Sequence, residues 1–254
     1  MELNTSSIFI KASENLWDKL VLDVKCASVD DFYIKDQKNA LKDLVIFMNN
    51  LRKDNFFFIS CRLADHKIQE SYLLEKVGFN FLEMVLHPYL QLNELPFYNL
   101  DSSISISEAK GKDFEILANL ATNTFKHERF QIDPRIPDDA GQQRYKNWII
   151  SCENHPSQIL YKFTLNKTII GGFIIERNLD LNEVYWHLTF ISPNQQGKGS
   201  GFLCWKSMLD FHKNEGAKKV STTISARNIR VLNLYSKLNF RFSNPSVTYH
   251  WIYE

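Results

Sequence analysis

The stretch that decides the fold reads I-S-P-N-Q-Q-G-K-G-S-G-F and runs from Ile191 to Phe202. An alternating apolar run before it predicts a β-strand, and an apolar pattern with helical spacing after it predicts a helix. Glycines between a strand and a helix leave backbone N–H groups open at the helix N-terminus, where they can bind phosphate. Lys198 adds a positive charge beside them. The glycines alone are equally compatible with a loop that only turns tightly.

The spacing of these glycines excludes two common phosphate-binding motifs. The P-loop pattern G-x-x-x-x-G-K-[ST] is absent, and alternate glycines stand where a Rossmann fingerprint would have G-x-G-x-x-G. A second informative segment lies further along the chain and reads S-A-R-N-I-R-V-L-N-L-Y-S-K-L-N-F from Ser225 to Phe240.

Together the two segments resemble the GNAT acetyltransferases. The first is similar to the family's Q/R-x-x-G-x-G/A acetyl-CoA loop, with Gln196, Gly199 and Gly201 at the three marked positions. The second is similar to the family's N-x-x-A-x-x-L-Y-x-K-x-G-F segment, which matches at Asn228, Leu234, Tyr235, Lys237 and Phe240. Val231 and Asn239 depart from it, and Asn239 is a mild change because asparagine tolerates a left-handed helix cap.

The resemblance implies an α/β GNAT fold with a mixed sheet, acetyl-CoA as cosubstrate and no metal. The residues expected to bind acetyl-CoA are Phe190, Ile191, Gln196, Gly197, Lys198, Gly199, Ser200, Gly201 and Asn228. If the preceding strand bulges, free N–H groups near Phe190 and Ile191 can face the thioester.

Tyr235 occupies the position of the family's thiolate-protonating tyrosine. A phenol with an unperturbed pKa near 10 is protonated at neutral pH and can donate to a thiolate. A core tyrosine on an amphipathic helix is the alternative interpretation. The base is left open among Glu183, His187 and ordered water, because both side chains lie on one face of the predicted strand.

A faint internal repeat suggests how the chain is organised. Residues 60–81 can be placed over 221–242 with a constant offset of 161, which sets L-L-E-K-V-G-F over L-Y-S-K-L-N-F. No glycine occurs before Gly78, so the first half has no glycine-rich loop. We therefore predict a degenerate GNAT-like N-terminal domain over 1–100 and a catalytic GNAT domain over 101–254. Coincidence between two amphipathic helix–strand units is the alternative.

The segment T-F-K-H-E-R-F-Q-I-D, from Thr124 to Asp133, combines cations, aromatic rings and acids. It suits a substrate with a ring to stack on and a diphosphate to hold, and His127, Arg129, Phe130 and Asp133 are the predicted acceptor-binding residues. A solvated loop with two buried phenylalanines is the alternative. We predict a loop over 133–141 and a helix over 144–152 after it.

This segment, a Y-x-x-W-I helix at Tyr145–Ile149 and an aromatic C-terminal strand resemble the nucleotide-sugar N-acetyltransferases typified by TDP-fucosamine acetyltransferase. The resemblance implies transfer of acetyl to the amine of a dTDP-linked amino-6-deoxyhexose for a surface polysaccharide, such as an O-antigen or capsule. His127 and Glu128 depart from the group's pattern. Other small amines, such as an aminoglycoside or polyamine, and a non-catalytic acyl-CoA sensor are the alternatives.

Composition narrows the setting of this activity. The chain has 30 basic and 29 acidic residues without a basic block, which argues against nucleic acid as a partner. Its four cysteines show no metal or disulfide spacing, and the sequence has neither a signal-peptide pattern at its start nor a membrane-spanning apolar run. We expect a cytoplasmic enzyme without membrane contact, and a homodimer as its assembly.

Overall fold

The computed structural model describes residues 1–95, 103–122, 124–125 and 128–253. The strands are β1 (Glu2–Asn4), β2 (Ile8–Glu14), β3 (Cys26–Ile34), β4 (Phe58–Ala64), β5 (Asn80–Gln91), β6 (Ile104–Glu108), β7 (Gln158–Leu165), β8 (Thr168–Asn178), β9 (Glu183–Ile191), β10 (Lys219–Thr222), β11 (Ile224–Ser225) and β12 (Arg241–Ile252). The helices are α1 (Leu16–Leu22), α2 (Gln37–Lys53), α3 (Ile68–Lys76), α4 (Asp113–Thr122), α5 (Arg129–Ile132), α6 (Ala140–Ser151), α7 (Ser200–Asn214) and α8 (Ile229–Lys237).

One mixed sheet runs through the described part of the chain. Its strand order is β1-β2-β3-β4-β12-β5-β10-β9-β8-β7-β6, and β11 pairs with β5 off this path. The pairs β3–β4 and β9–β10 are parallel, and the other pairs are antiparallel. The predicted mixed α/β sheet is confirmed.

The centre of the sheet is built by an exchange of strands between the two halves of the chain. β5 follows β4 and α3, yet β5 pairs with β10 and β12 instead of β4. β12 follows β10 and α8, and it pairs with β4 and β5. Each half therefore supplies the strand that completes the other half's sheet. The boundary predicted near residue 100 stays a prediction, and it falls within residues 96–102, outside the described residues.

The repeat seen in the sequence is present in the structure at the same offset. Adding 161 to the bounds of α3 and β5 gives the bounds of α8 and β12. The residues that end the two helices also correspond, because Gly78 has φ 95° and Asn239 has φ 62°. Both sites need the left-handed conformation, which glycine adopts freely and asparagine tolerates.

The exchanged strand β12 separates an apolar face from a polar one. Val247, Tyr249 and Trp251 pack into the core beneath α2. Thr248 and His250, which alternate with them, are buried on the opposite face. Burial of polar side chains requires partners on that face, and those partners define the site described below.

Two details near the site differ from the sequence-based expectations. α6 begins at Ala140, inside the segment predicted as a loop. The short helix α5 was missed, and it is capped by the carboxylate of Glu128, which accepts from the N–H of Phe130 at 2.9 Å. Four residues are too few to produce a helical period, so only the cap could have indicated it.

Candidate active site

A large cavity opens where two parallel strands diverge. β9 and β10 pair only from Glu183–Lys219 to Trp186–Thr222, and among the described residues the remainder of β9 has no strand partner on that side. β9 also bulges, because Leu188 and Trp186 oppose adjacent residues of β8 and His187 is the extra residue. The resulting cavity of about 1160 Å³ is lined by residues from both halves of the chain. Backbone groups of β9 without a strand partner therefore border the cavity.

The glycine loop forms one end of this cavity. Gly197 has φ 81° and Gly199 has φ 84°, so both positions require a conformation that other residues rarely adopt. Gly199 precedes the first residue of α7, and no side chain caps that helix. The first N–H groups of a 15-residue helix consequently point outward, where an anion can accept from them.

Gly201 lies in the first turn of α7 and has ordinary backbone geometry. A Cβ added there would meet only Ile191 Cδ1, at 3.6 Å, which is normal van der Waals contact. The fold itself therefore does not demand glycine at this position. Close approach by a ligand backbone or phosphate is the remaining physical reason for a glycine.

Two side chains give the loop a polar lining. Gln196 donates to the carbonyl oxygen of Ile191 at 3.3 Å and accepts from Arg230 Nη1 at 3.1 Å. Arg230 lies on the cavity wall and was missed by the sequence analysis, although it follows Asn228 within the matched segment. Asn228 also borders the cavity, and it caps α8 by accepting from the N–H of Val231 at 3.2 Å.

Not every predicted acetyl-CoA residue lies on the cavity wall. Phe190 and Ile191 line it together with Gln196, Gly197, Gly199, Gly201 and Asn228. Lys198 is exposed and is not among the residues that line the cavity, while Ser200 is buried and donates to Gln195 Oε1 at 3.1 Å. Ser200 can still contribute its backbone N–H, because it is the first residue of the helix.

Tyr235 lies directly behind the cavity wall. It is 1% exposed, and its hydroxyl interacts with Trp205, Thr189 and Thr222, three residues that do line the cavity. Burial raises the pKa of Tyr235, so the phenol stays protonated at neutral pH. A protonated donor beside the wall is what a departing thiolate needs.

The two side chains considered as bases are placed differently. His187 lines the cavity, and its Nε2 lies 2.8 Å from Glu176 Oε2. Glu183 stands at the opposite end of β9, where its carboxylate pairs with Lys219 Nζ at 3.2 Å. Glu183 is not among the lining residues of this cavity, so its distance from the glycine loop argues against a role as base.

Of the residues predicted to bind the acceptor, some line the cavity and others lie behind its wall. Arg129 lines the cavity, but its guanidinium already has partners: Nη2 donates to Asp18 Oδ2 at 2.8 Å and Nη1 to His250 Nε2 at 3.0 Å. Arg144 Nε donates to Asp18 Oδ1 at 3.1 Å. Although burial disfavours the Asp18 carboxylate, Arg129 and Arg144 hold its pKa below the usual value.

Phe130 and Asp133 lie behind the wall instead of on it. Phe130 is 1% exposed and packs in the core against Phe58, with ring centroids 5.6 Å apart, so it has no free face for stacking. Asp133 is 2% exposed and accepts from Arg135 and from His250 Nδ1 at 2.9 Å. Direct substrate contact by these two side chains is therefore not supported. His127 lies outside the described residues.

Burial and charge set the protonation of this wall. Burial lowers the pKa of His250 to about 4, so the ring is neutral, with Nδ1–H donating to Asp133 and Nε2 accepting from Arg129. Burial raises the pKa of Glu128. Arg144 and Arg129 lower it, and the carboxylate of Glu83 raises it, as burial does. The network joins α1, α5, α6 and β12 and holds the wall in place.

The N-terminal half supplies the other end of the cavity. Thr248 of β12 stands opposite Arg62 of β4 on one side and Glu83 of β5 on the other. Arg62 Nε donates to Thr248 Oγ1 at 3.1 Å, and Arg62 Nη2 lies 3.8 Å from Glu83 Oε1. Ser28 and Ser60 border the cavity in the next row. Only strand exchange brings these residues to the cavity that the glycine loop opens onto.

Comparisons with known proteins identify the class. The sequence profile of the Acetyltransferase (GNAT) family matches residues 119–240, and this part of the chain is a GNAT acetyltransferase domain. The prediction made from the glycine loop and the α8 segment is thereby confirmed. No helix in the described parts of the chain is long and apolar enough to cross a membrane.

Three individual proteins show how far the similarity extends. The chain is 21% identical over 243 residues to the spore coat polysaccharide biosynthesis protein SpsD of Bacillus subtilis, which covers 93% of this chain and 81% of that protein. A GCN5-related N-acetyltransferase from Sphaerobacter thermophilus has the same fold, with TM-score 0.66, 11% identity and coverage of 97% of this chain and 76% of its own. A tandem GNAT protein from the clavulanic acid biosynthesis pathway has TM-score 0.59 and 9% identity, with coverage of 89% and 75%.

Proposed function

We propose that this protein transfers acetyl from acetyl-CoA to the amine of a nucleotide-linked amino sugar, and specifically of a dTDP-linked amino-6-deoxyhexose. The observation that carries the proposal is the single cavity with two unlike ends. The glycine loop at α7 suits the diphosphate of CoA, and the arginine-bearing end made with β4, β5 and β12 suits a second, separate substrate.

Acetyl-CoA binds at the first end. The open N–H groups of α7 donate to its diphosphate, and Arg230 supplies the positive charge that the sequence analysis had assigned to Lys198. The pantetheine arm lies along the unpaired part of β9, where free backbone groups can pair with its amides. The thioester then reaches Phe190 and Ile191, close to the hydroxyl of Tyr235 behind the wall.

The reaction is direct attack of the amine on the thioester carbonyl carbon. A carbon–nitrogen bond forms and the carbon–sulfur bond breaks. The acceptor ammonium first loses one proton, and the neutral amine then attacks. Tyr235 donates a proton to the departing thiolate. The nitrogen then gives its second proton to the tyrosine, which restores the phenol. N–H groups on the bulged end of β9 stabilise the charge that develops on the carbonyl oxygen.

Charge favours an anionic acceptor over a polycationic one. The far end of the cavity carries Arg62, Arg129 and Arg144 against Glu83 and Glu128. Arg129 and Arg144 are already paired with Asp18, so Arg62, whose side chain is 45% exposed, is the guanidinium group open to an anionic ligand. Aminoglycosides and polyamines would need an acidic surface there, whereas the diphosphate of a nucleotide sugar benefits from guanidinium groups. The similarity to SpsD, a spore coat polysaccharide biosynthesis protein, also supports a sugar substrate. The proposal extends to a role in surface polysaccharide synthesis in the cytoplasm, to a homodimer, and to the two-domain division 1–100 and 101–254.

A panel of amines tests the proposal directly. We expect release of free CoA thiol with dTDP-linked 3-amino or 4-amino dideoxyhexoses, and at least tenfold lower kcat/KM with a polyamine or an aminoglycoside. Faster turnover of the polycations would overturn the acceptor assignment. Tight acetyl-CoA binding without turnover of any panel member would favour the acyl-CoA sensor instead.

A further inference from the structure

We infer that Glu83, a residue of the N-terminal half, is the base that takes the proton from the acceptor's ammonium group. This inference rests on the proposed acetyl transfer and deepens it. Glu83 lines the active-site cavity from β5, the strand that the first half inserts beside β10. The degenerate half would then be part of the catalytic machinery.

The burial of Glu83 and its lack of hydrogen bonds carry the inference. The residue is 5% exposed, and among the residues that the structure describes its carboxylate has one ion-pair partner, Arg62 Nη2 at 3.8 Å, which is too far for a hydrogen bond. A buried carboxylate normally accepts several hydrogen bonds, because leaving it without them is costly. A carboxylate that faces a cavity in this condition is suited to receive a donor from a ligand, and an ammonium group is such a donor.

The charged groups around Glu83 come from three packed elements. Arg62 faces it from β4, and Glu128 at the start of α5 and Tyr145 of α6 interact with it electrostatically. Arg129 and Arg144 line the same cavity. Among the described residues, Arg62 is the guanidinium group within salt-bridge distance of Glu83. An incoming ammonium adds a further positive partner on the cavity side.

The other candidates are committed to neighbours. Glu128 accepts from the N–H of Phe130 at 2.9 Å and caps α5, while its second oxygen faces Arg144 at 3.7 Å. His187 is bonded to Glu176 at 2.8 Å. Glu83 differs from both because its oxygens have no hydrogen-bond donor among the described residues.

The acceptor's ammonium group must lose one proton before the amine can attack. The ammonium of the acceptor gives one proton to a carboxylate oxygen of Glu83, which leaves a neutral amine with its lone pair free. The amine attacks the thioester as described above, and Glu83 releases its proton to water in the open cavity before the next turnover. The amine must be neutral to attack. Loss of the Glu83 carboxylate should therefore reduce the rate of the chemical step and leave acetyl-CoA binding unchanged.

Glu83→Gln is the central test, since glutamine keeps the shape and cannot accept the proton. We expect kcat to fall by roughly a hundredfold, in the usual range for loss of a general base. The acidic limb of the pH profile of kcat should disappear, while the Kd for acetyl-CoA stays within about twofold of wild type. Glu75→Gln, the same change at an exposed position on α3, is the matched control and should leave all three unchanged.

Two further variants keep the test informative if Glu83→Gln folds poorly. Glu83→Asp should retain the acidic limb at a lower rate, and Glu83→Ala should be partly rescued by added formate, which can enter the cavity. Glu176→Gln tests whether His187 is the base instead, because Glu176 is the hydrogen-bond partner of His187. If the acidic limb of the pH profile changes in Glu176→Gln and stays normal in Glu83→Gln, the inference is overturned.

The assays use the amine that wild type acetylates fastest in the panel. The panel therefore decides the acceptor class, and the Glu83 variants decide the base for whichever amine reacts. A wild-type rate and an unchanged acidic limb in Glu83→Gln would refute the assignment of Glu83 while leaving the proposed acetyl transfer intact.

Discussion

Replacement of Gly201 separates the needs of the fold from the needs of the cofactor. The structure leaves room for a side chain at this position, because a Cβ would meet only Ile191 Cδ1 at 3.6 Å. Its φ does not lie in the left-handed region either, in contrast to Gly199 at φ 84°. Gly201→Val should therefore fold normally and still lose acetyl-CoA, since valine would cover the N–H groups at the start of α7.

The expected magnitude follows from the contacts that are blocked. A hydrogen bond to a charged group contributes about 1.5–3 kcal/mol. Loss of one such bond to the CoA diphosphate would weaken binding about ten- to hundredfold, at about 1.4 kcal/mol for each factor of ten. Stability should change in the opposite direction or not at all, because glycine is unfavourable within a helix by about 0.5–1 kcal/mol relative to alanine.

Calorimetric titration with acetyl-CoA and urea unfolding without ligand give the two quantities. Gly201→Ala is the matched control, because its single methyl group leaves the N–H groups accessible and the GNAT loop pattern accepts alanine there. The control should bind acetyl-CoA within a few-fold of wild type. If folded Gly201→Val binds acetyl-CoA as tightly as wild type, the helix N-terminus is not the anion site. If Gly201→Val unfolds, the expectation that the fold has room for a side chain there is wrong.

Three further predictions concern other parts of the structure. Tyr235→Phe should lower kcat by roughly a hundredfold with the acetyl-CoA Kd unchanged, and an unaltered single-turnover rate would show that another group protonates the thiolate. Arg129→Ala should lower the free energy of unfolding by about 3–5 kcal/mol, because it breaks a buried pair with Asp18, which is 0% exposed; urea unfolding that shows a loss below about 1 kcal/mol contradicts this. Burial, with Arg177 acting in the same direction, lowers the pKa of His212 from 6.5 to about 3. The unfolded state therefore takes up that proton first, and stability is lost as pH falls below 6.5, by up to about 1.4 kcal/mol per pH unit. His212→Leu should flatten that decline in urea unfolding between pH 6 and about pH 4, and an unchanged slope would contradict it.

The sequence predicted best where function depends on the backbone. The glycine loop, the helix after it and the left-handed cap at Asn239 all follow from residues with special conformational properties. The repeat was also readable, because helices and strands of equal length keep a constant offset of 161 between α3 and α8. Such features are local in sequence, so neighbouring residues suffice to indicate them.

The sequence could not predict the directions of the side chains in the segment from Thr124 to Asp133. Arg129 reaches the cavity and Phe130 lies in the core, although the two are adjacent and both fitted the predicted acceptor site. A four-residue helix between two loops decides which way each points, and it depends on the cap at Glu128. Periodicity cannot resolve so short an element.

The sequence alone determined the class of protein, the mixed sheet and the position of the acetyl-CoA loop, because each rests on a continuous segment with its own spacing. The tertiary structure decided what the N-terminal half does. Exchange of β5 and β12 sets Arg62, Thr248 and Glu83 side by side, although these residues are far apart in the chain. Pairing between distant strands is governed by packing and hydrogen bonding across the whole sheet, so no local pattern could place a carboxylate from the first half in the second half's cavity.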